Sequence, residues 1–135
     1  MLDMKLSEGV RKMGVYKVRA DTAKNRLYIV LEGFLADEEA KAAADTIISE
    51  AKKLKSGFGL INDISSFKPT SALAADEIKR AQIGVKGLGV GRAIRVVGQA
   101  GLAGSQFART GKEAGYDADI VGTIEEAEKS LESAK

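Results

Sequence analysis

The sequence predicts a single α/β domain built on a mixed sheet, with the element order β-β-α-β-α-β-α-β-α. Two opening β-rich runs follow each other across a short loop, which is typical of an antiparallel hairpin. The later strand runs alternate with helical patterns, and such crossovers connect parallel strands. At 135 residues, 44% of them hydrophobic, the chain can close one core and is too short for two ordinary domains. We expect this domain at residues 15–135, after a loosely ordered leader at residues 1–14.

The hairpin is predicted at residues 15–20 and 26–32. Alternate apolar side chains of the second run share one face, which we expect to be the core face: Leu27, Ile29 and Leu31. In the first run, Lys17 and Arg19 alternate with apolar residues. This pattern favours a solvated edge strand protected by charge over a basic binding patch.

A helix is predicted from Asp37, because three acids at its start suit the positive end of the helix dipole. Alanines and isoleucines then follow at helical spacing as far as Leu54, and Gly57 is placed to end the helix.

A buried strand is predicted at residues 60–64, and a helix should begin only after Pro69. Ser71 is the predicted N-cap, since its hydroxyl can accept a hydrogen bond from a backbone N–H near Ala74. Thr70 is the alternative cap. The unit is a strand, a polar loop and a helix.

The second half of the chain predicts a strand at residues 93–97, a helix ending near Gly115 and a short strand at residues 119–121. Thr123 and Glu126 match a capping box that opens a terminal helix. The buried face of this helix is expected to include Ile124, Ala127 and Leu131.

Arg95 lies in the middle of a predicted strand. A sheet covered by helices on both faces would bury this charge. We therefore expect one face near Arg95 to be wet, paired or covered by something else.

The chain contains no histidine and no cysteine. It therefore lacks the commonest general base, any thiolate nucleophile and the commonest metal ligands, and we expect no catalysis, no metal and no cofactor. The alternative is chemistry by Asp63 and a lysine that converge in a closed cleft. A net charge of +2 with 30% charged residues predicts a well-mixed surface and no nucleic-acid binding. No apolar run suits a signal peptide or a membrane span, and we expect a cytoplasmic protein.

Two glycine-rich stretches leave alternatives open. Residues 83–91 form either a mobile flap over a ligand or the fraying end of a helix with its connector. Gly98 and Ser105 belong to a turn that lacks the spacing of a dinucleotide fingerprint, and it is either an anion site at a helix N-terminus or an ordinary turn. The apolar side chains of the first stretch are candidate ligand or partner contacts: Ile83, Val85, Leu88 and Val90.

Asp63, Ser65 and Ser66 lie where a parallel strand ends, and open α/β sheets usually bind ligands at such ends. The alternative is that Asp63 and Ser65 only close the turn. A phosphoryl group at a helix N-terminus is electrostatically favoured, so Ser71 is either a cap alone or a cap and a phosphosite.

The element order, the segment LINDIS at residues 60–65 and the closing IVGTIEEA at residues 120–127 resemble the STAS family, the anti-sigma-factor antagonists and their stand-alone relatives. Residues 28–35, YIVLEGFL, followed by three acids, are similar to the uncharacterised stand-alone branch of that family. The resemblance implies an STAS-like fold from about Tyr16 onward. It also implies that the serine phosphorylated by a partner kinase falls near Thr70 and Ser71.

We therefore expect a non-enzymatic, STAS-like regulatory module that recognises a partner protein. The alternative is a carrier or sensor of a small apolar or anionic ligand, lipid-like in character, bound at the carboxyl ends of the parallel strands. The hairpin edge and the sheet face near Arg95 also offer surfaces for a homodimer.

Overall fold

The fold is taken from a computed structural model, which describes residues 14–98 and 101–133, with the backbone alone at 101–103 and 133. The leader expected at residues 1–14 lies outside this part of the chain, except for Gly14, which begins the first strand. Five strands form one sheet in the order in which they occur in the sequence. They are Gly14–Asp21 (β1), Arg26–Gly33 (β2), Gly59–Phe67 (β3), Ala93–Val96 (β4) and Asp119–Val121 (β5).

The sheet is mixed, as the sequence predicts. β1 and β2 are antiparallel, and each later neighbouring pair is parallel. Four helices occur in the described ranges, namely Asp37–Ala51 (α1), Ala72–Gly87 (α2), Gly101–Ala114 (α3) and Ile124–Ser133 (α4). The predicted element order is thereby confirmed.

The helices divide unequally between the two faces of the sheet. Each parallel crossover moves one strand further in the same direction, so right-handed crossovers place α1, α2 and α3 on one face. That face carries the larger core, in which Leu27, Ile29 and Leu31 are buried as predicted. On the other face α4 alone buries Ala127 and Leu131 against β3 and β4.

A bulge in β3 makes that strand longer than predicted. Val30 of β2 lies opposite Asp63, but Glu32 lies opposite Ser66, so β3 carries one extra residue between them. The extra residue resets the alternation of side chains, and Ile64 and the final Phe67 are both buried in the same core.

Two predicted helix caps are confirmed. Ser71 is the N-cap of α2, and its Oγ accepts a hydrogen bond from the Ala74 N–H at 3.1 Å. At the start of α4, the Glu126 N–H donates to Thr123 Oγ1 at 3.2 Å, and the Thr123 N–H donates to Glu126 Oε1 at 3.1 Å. The second pair is the reciprocal capping box expected from the sequence.

Two expectations about burial are wrong. Ile124 is 37% exposed, because it begins α4 just after the outermost strand, and the buried face starts one turn later at Ala127. Arg95 is only 3% exposed, because α3 covers that part of the sheet and lays Phe107 against the guanidinium. The face near Arg95 is therefore covered by a helix.

Within the described ranges, no helix is long and apolar enough to cross a membrane.

Candidate functional site

Asp63 and Ser65 lie inside β3, before its carboxyl end, and Gly98 follows β4 and approaches Ser65. Asp63 Oδ1 accepts hydrogen bonds from the Ser65 N–H at 3.0 Å and from the Ser65 hydroxyl at 2.6 Å. Gly98 has φ +46°, and a Cβ there would lie 2.8 Å from Ser65 Cβ. Only glycine fits this approach without a shift. The Asp63 carboxylate is thus engaged by Ser65 within β3, at the bulge, and not in the turn expected from the sequence, while Ser66 is exposed in the same strand.

Ser71 joins the starts of two helices. Besides capping α2, its hydroxyl donates a short hydrogen bond to Asp37 Oδ1, in the first turn of α1. Because β2 and β3 are parallel, α1 and α2 both begin at the carboxyl ends of these strands, which we call the carboxyl edge of the sheet.

Thr70 does not cap α2. Its N–H and hydroxyl both donate to Gln106 Oε1, at 2.9 and 3.1 Å, and Gln106 Nε2 donates to the Thr70 carbonyl at 2.9 Å. These three hydrogen bonds attach the β3–α2 loop to α3.

Two large apolar side chains are exposed at this edge. Phe34, just after β2, is 36% exposed, and Leu73, in the first turn of α2, is 65% exposed. The Lys68 N–H donates to the Gly33 carbonyl at 2.9 Å, so the segment after β2, which carries Phe34, lies beside the segment after β3 that leads into α2 and Leu73. We name the following five residues the carboxyl-edge surface: Phe34, Asp37, Thr70, Ser71 and Leu73.

The apolar residues predicted at positions 83–90 lie apart from this surface, at and beyond the other end of α2. Ile83 belongs to α2 and is 51% exposed, whereas Val85 is 2% exposed in the core. Leu88 and Val90 follow the helix and are partly buried against the core. Ser105 lies on α3 with its side chain exposed, one residue before Gln106, which binds Thr70 of the carboxyl-edge surface.

Sequence reasoning singled out Arg95 but missed the group of polar residues to which it belongs, which is buried between the sheet and the helices. Asn62 of β3 lies beside Arg95 of β4 in the sheet register, and Gln82 of α2 and Tyr116 after α3 close over them. Their exposures are 7%, 3%, 5% and 8% in that order. We call these four residues the buried polar cluster.

Three atoms of the buried polar cluster have no hydrogen-bond partner: Asn62 Oδ1, Gln82 Oε1 and Arg95 Nε. Gln82 Nε2 donates to the Phe107 carbonyl at 3.4 Å, and the Arg95 guanidinium carbon lies 5.5 Å from the centroid of the Phe107 ring. Buried polar atoms usually make hydrogen bonds, so three that make none within one cluster distinguish it from the rest of the core.

The electrostatics agree with this geometry. Burial lowers the pKa of Arg95, and Tyr116 opposes the shift. Burial also raises the pKa of Tyr116 to about 12, against the pull of the Arg95 charge. Arg95 takes part in none of the ion pairs between described residues.

A small cavity adjoins the buried polar cluster. Its volume is about 30 Å³, and Asn62, Gln82 and Tyr116 contribute to a lining that is otherwise apolar. It lies over the middle of the sheet rather than at the strand ends. The sequence did hold a signal for it, because neighbouring elements each carry one polar residue in an apolar pattern, at positions 62, 82 and 95. Only the strand register and the helix packing show that the three converge.

In the described part of the chain, no cluster of acidic side chains could hold a metal ion. No protein-family model and no curated protein matches the chain. The resemblance to the STAS family therefore stays a prediction, beside a fold class that the structure confirms.

Proposed function

We propose that this chain is a non-enzymatic regulatory module that recognises a partner protein through its carboxyl-edge surface. The observation that carries the proposal is the exposure of Leu73, at 65%, and of Phe34, at 36%, in two segments that hydrogen bonds join at the same end of the sheet. Single exposed apolar side chains are ordinary, but two on neighbouring segments offer apolar area that a partner can bury. Asp37, Thr70 and Ser71 supply polar groups around the patch, as in the polar rim of an interface.

Ser71 gives this surface a means of regulation. Its hydroxyl is exposed, and it already donates to Asp37. A phosphoryl group there would face the favourable N-terminus of α2 but also the Asp37 carboxylate, and it would break the hydrogen bond between them. The charge of the rim would change while the core stays intact. The resemblance to anti-sigma-factor antagonists supports the same residue.

A photoreactive amino acid at position 73 tests the surface in the source cell. We expect it to form a discrete covalent adduct with one protein, and we expect Phe34→Ser to diminish that adduct. Ile83 is the matched control, because it is 51% exposed on the same helix, about 15 Å further along. Equal adducts from both positions, or none from position 73, would contradict the proposal.

A second arm tests regulation. Ser71→Asp should weaken the adduct from position 73, and the unfolding temperature separates this from a loss of folding. Asp37→Asn in the same chain removes the repulsion between the two carboxylates and serves as the control for stability. An adduct that is unchanged by Ser71→Asp would leave Ser71 as a helix cap only.

Self-association stays a prediction. β1 is one edge of the sheet, and its Lys17 and Arg19 are exposed. Charges on an edge strand disfavour pairing with a second copy. A monomer mass by light scattering at high concentration would exclude a homodimer.

A further inference from the structure

We infer that an open cavity at the amino edge of the sheet, where β2, β3 and β4 begin, binds a phosphate monoester group of a small metabolite or of a lipid headgroup. This edge is at the opposite end of the sheet from the carboxyl-edge surface. The inference therefore does not rest on the proposed function. It rests on the charge of the cavity lining, on how the charged side chains are positioned and on the size of the cavity.

The charge of the lining favours an anion. Lys24, Arg26 and Arg92 line the cavity, and none of the described residues that line it is acidic. Lys24 is exposed and takes part in none of the ion pairs between described residues. The lining therefore presents positive charge to a ligand without an acid of its own.

Hydrogen bonds fix the hairpin turn that carries Lys24. The Lys24 N–H donates to Asp21 Oδ1 at 3.0 Å. Asn25, at φ +55°, accepts from the Lys55 N–H at 2.8 Å and donates to the Lys55 carbonyl at 3.2 Å. The turn is thereby attached to the segment after α1, and the exposed Lys55 adds a second cation next to the turn.

The two arginines are held by partners outside the lining. Arg92 Nε donates to Asp119 Oδ2 at 2.9 Å and Arg92 Nη1 to the Ser130 carbonyl at 2.8 Å, while Arg92 Nη2 makes no hydrogen bond with a described residue. Arg26 is 4% exposed, and two carboxylates of α4 already accept from its Nη1 and Nη2. We therefore assign the contacts with the ligand to Lys24 and Arg92.

The size and the donors favour a phosphate ester. The cavity volume is about 260 Å³, just below the range of roughly 300–1,000 Å³ that is usual for drug-sized ligands. Glycine at position 57 leaves one side open, because a Cβ there would meet no atom within 4 Å. A lysine and an arginine on different segments suit the several oxygens and the double charge of a phosphate monoester, whereas one arginine fork is enough for a planar carboxylate.

Amide NMR titrations of the full chain test the inference with glycerol 3-phosphate, glycerate and glycerol. Glycerate replaces the phosphate ester by a carboxylate, and glycerol has no charge. We expect glycerol 3-phosphate to bind at low ionic strength and to shift the amide signals of residues 24–26, 57–59 and 92. Glycerate should bind at least about tenfold more weakly, and glycerol should not bind.

Flotation with phosphatidylcholine vesicles, with or without phosphatidic acid, distinguishes the two sources of the group. Binding of glycerol 3-phosphate without flotation would identify a free metabolite as the source. Flotation that requires phosphatidic acid would identify a lipid headgroup.

Variants locate the site. Lys24→Gln and Arg92→Gln should each weaken binding about three- to tenfold, since each removes one cation, and Lys24→Arg should retain it. Lys68→Gln is the matched control, because Lys68 is also exposed and outside the ion pairs between described residues, but lies at the carboxyl edge. Circular dichroism shows that each variant is folded.

The inference would be overturned if neither glycerol 3-phosphate nor the vesicles with phosphatidic acid bound to the wild-type chain. Equal losses in Lys24→Gln and Lys68→Gln would overturn it too, since binding would then follow the net charge of the chain. If glycerate bound as tightly as glycerol 3-phosphate, the assignment to a phosphate ester would be wrong.

Discussion

Arg26 and Arg95 are almost equally buried, at 4% and 3% exposure, on opposite faces of one sheet, yet their partners differ. Arg26 lies under α4, where it donates to Glu128 Oε1 at 2.7 Å and to Glu132 Oε2 at 3.0 Å. Arg95 lies under α3, with an aromatic ring and neutral amides as neighbours. The two sites therefore compare a buried arginine that has carboxylate partners with one that has only neutral neighbours.

The difference appears in the pKa values. Burial by itself would lower the pKa of Arg26, but hydrogen bonds with Tyr28 and Glu132 outweigh burial and raise it. The pKa of Arg95 is lowered by burial, with Tyr116 as the opposing group. Arg26 therefore attaches α4 to the sheet. The burial of Arg95 without a counter-charge instead lowers the stability of the fold, as is common for charged groups at binding sites.

The largest effect is expected from Arg26→Met. This substitution removes the anchor between β2 and α4 and leaves two carboxylates near an apolar surface. Because Glu128 and Glu132 side chains are 36% and 58% exposed, they can rehydrate, and we expect a loss of roughly 2–4 kcal/mol rather than the full cost of a deeply buried pair. Urea unfolding measures it. A change below about 0.5 kcal/mol would show that the pair contributes as little as an ordinary surface pair.

Sequence reasoning found the order of the elements because periodicity, caps and glycines act over a few residues. The capping box at Thr123 and the N-cap at Ser71 are of this kind. It could not find the buried polar cluster, since Asn62, Gln82 and Arg95 meet only through strand register and the packing of α2 and α3. The misplacement of Ile124 has the same origin, because helical spacing does not show where the sheet ends.

The second prediction uses the pH dependence of Tyr116. Its pKa rises from 10.0 to about 12 on folding, so below pH 10 both states keep the proton, and between pH 10 and 12 only the folded state does. Stability should therefore fall as the pH rises through this window, by about 2–3 kcal/mol from this residue.

Tyr116→Phe provides the comparison for that window. Its urea midpoint should fall less than that of the wild type between pH 9 and pH 11.5, while lysine titration affects both proteins alike. Identical slopes would mean that the hydroxyl reaches solvent in the folded state, and the buried polar cluster would then be wetter than its exposures indicate.

The third prediction is a gain in stability, where the first was a loss. Arg95→Met replaces an unpaired buried cation by an apolar side chain of similar length, and we expect a gain of about 1–2 kcal/mol in the free energy of unfolding. A loss of stability in Arg26→Met together with a gain in Arg95→Met would show directly that the counter-charge decides whether a buried arginine stabilises this fold. A loss at position 95 instead would mean that the contact with Phe107 stabilises the fold more than the buried charge destabilises it.

The smallest effects separate the two carboxylates that hold Arg26. Glu132→Gln should cost about 0.5 kcal/mol, because its side chain is 58% exposed and Glu128 keeps the guanidinium paired. Glu128→Gln should cost more, about 1 kcal/mol, since Glu128 is less exposed and the Tyr28 hydroxyl also lies 3.4 Å from both of its oxygens. Urea unfolding at low and high salt distinguishes them, because screening should reduce the Glu132 contribution first. A larger loss of stability in Glu132→Gln than in Glu128→Gln would contradict this prediction. The pairing of Arg26 would then depend mainly on the last turn of α4.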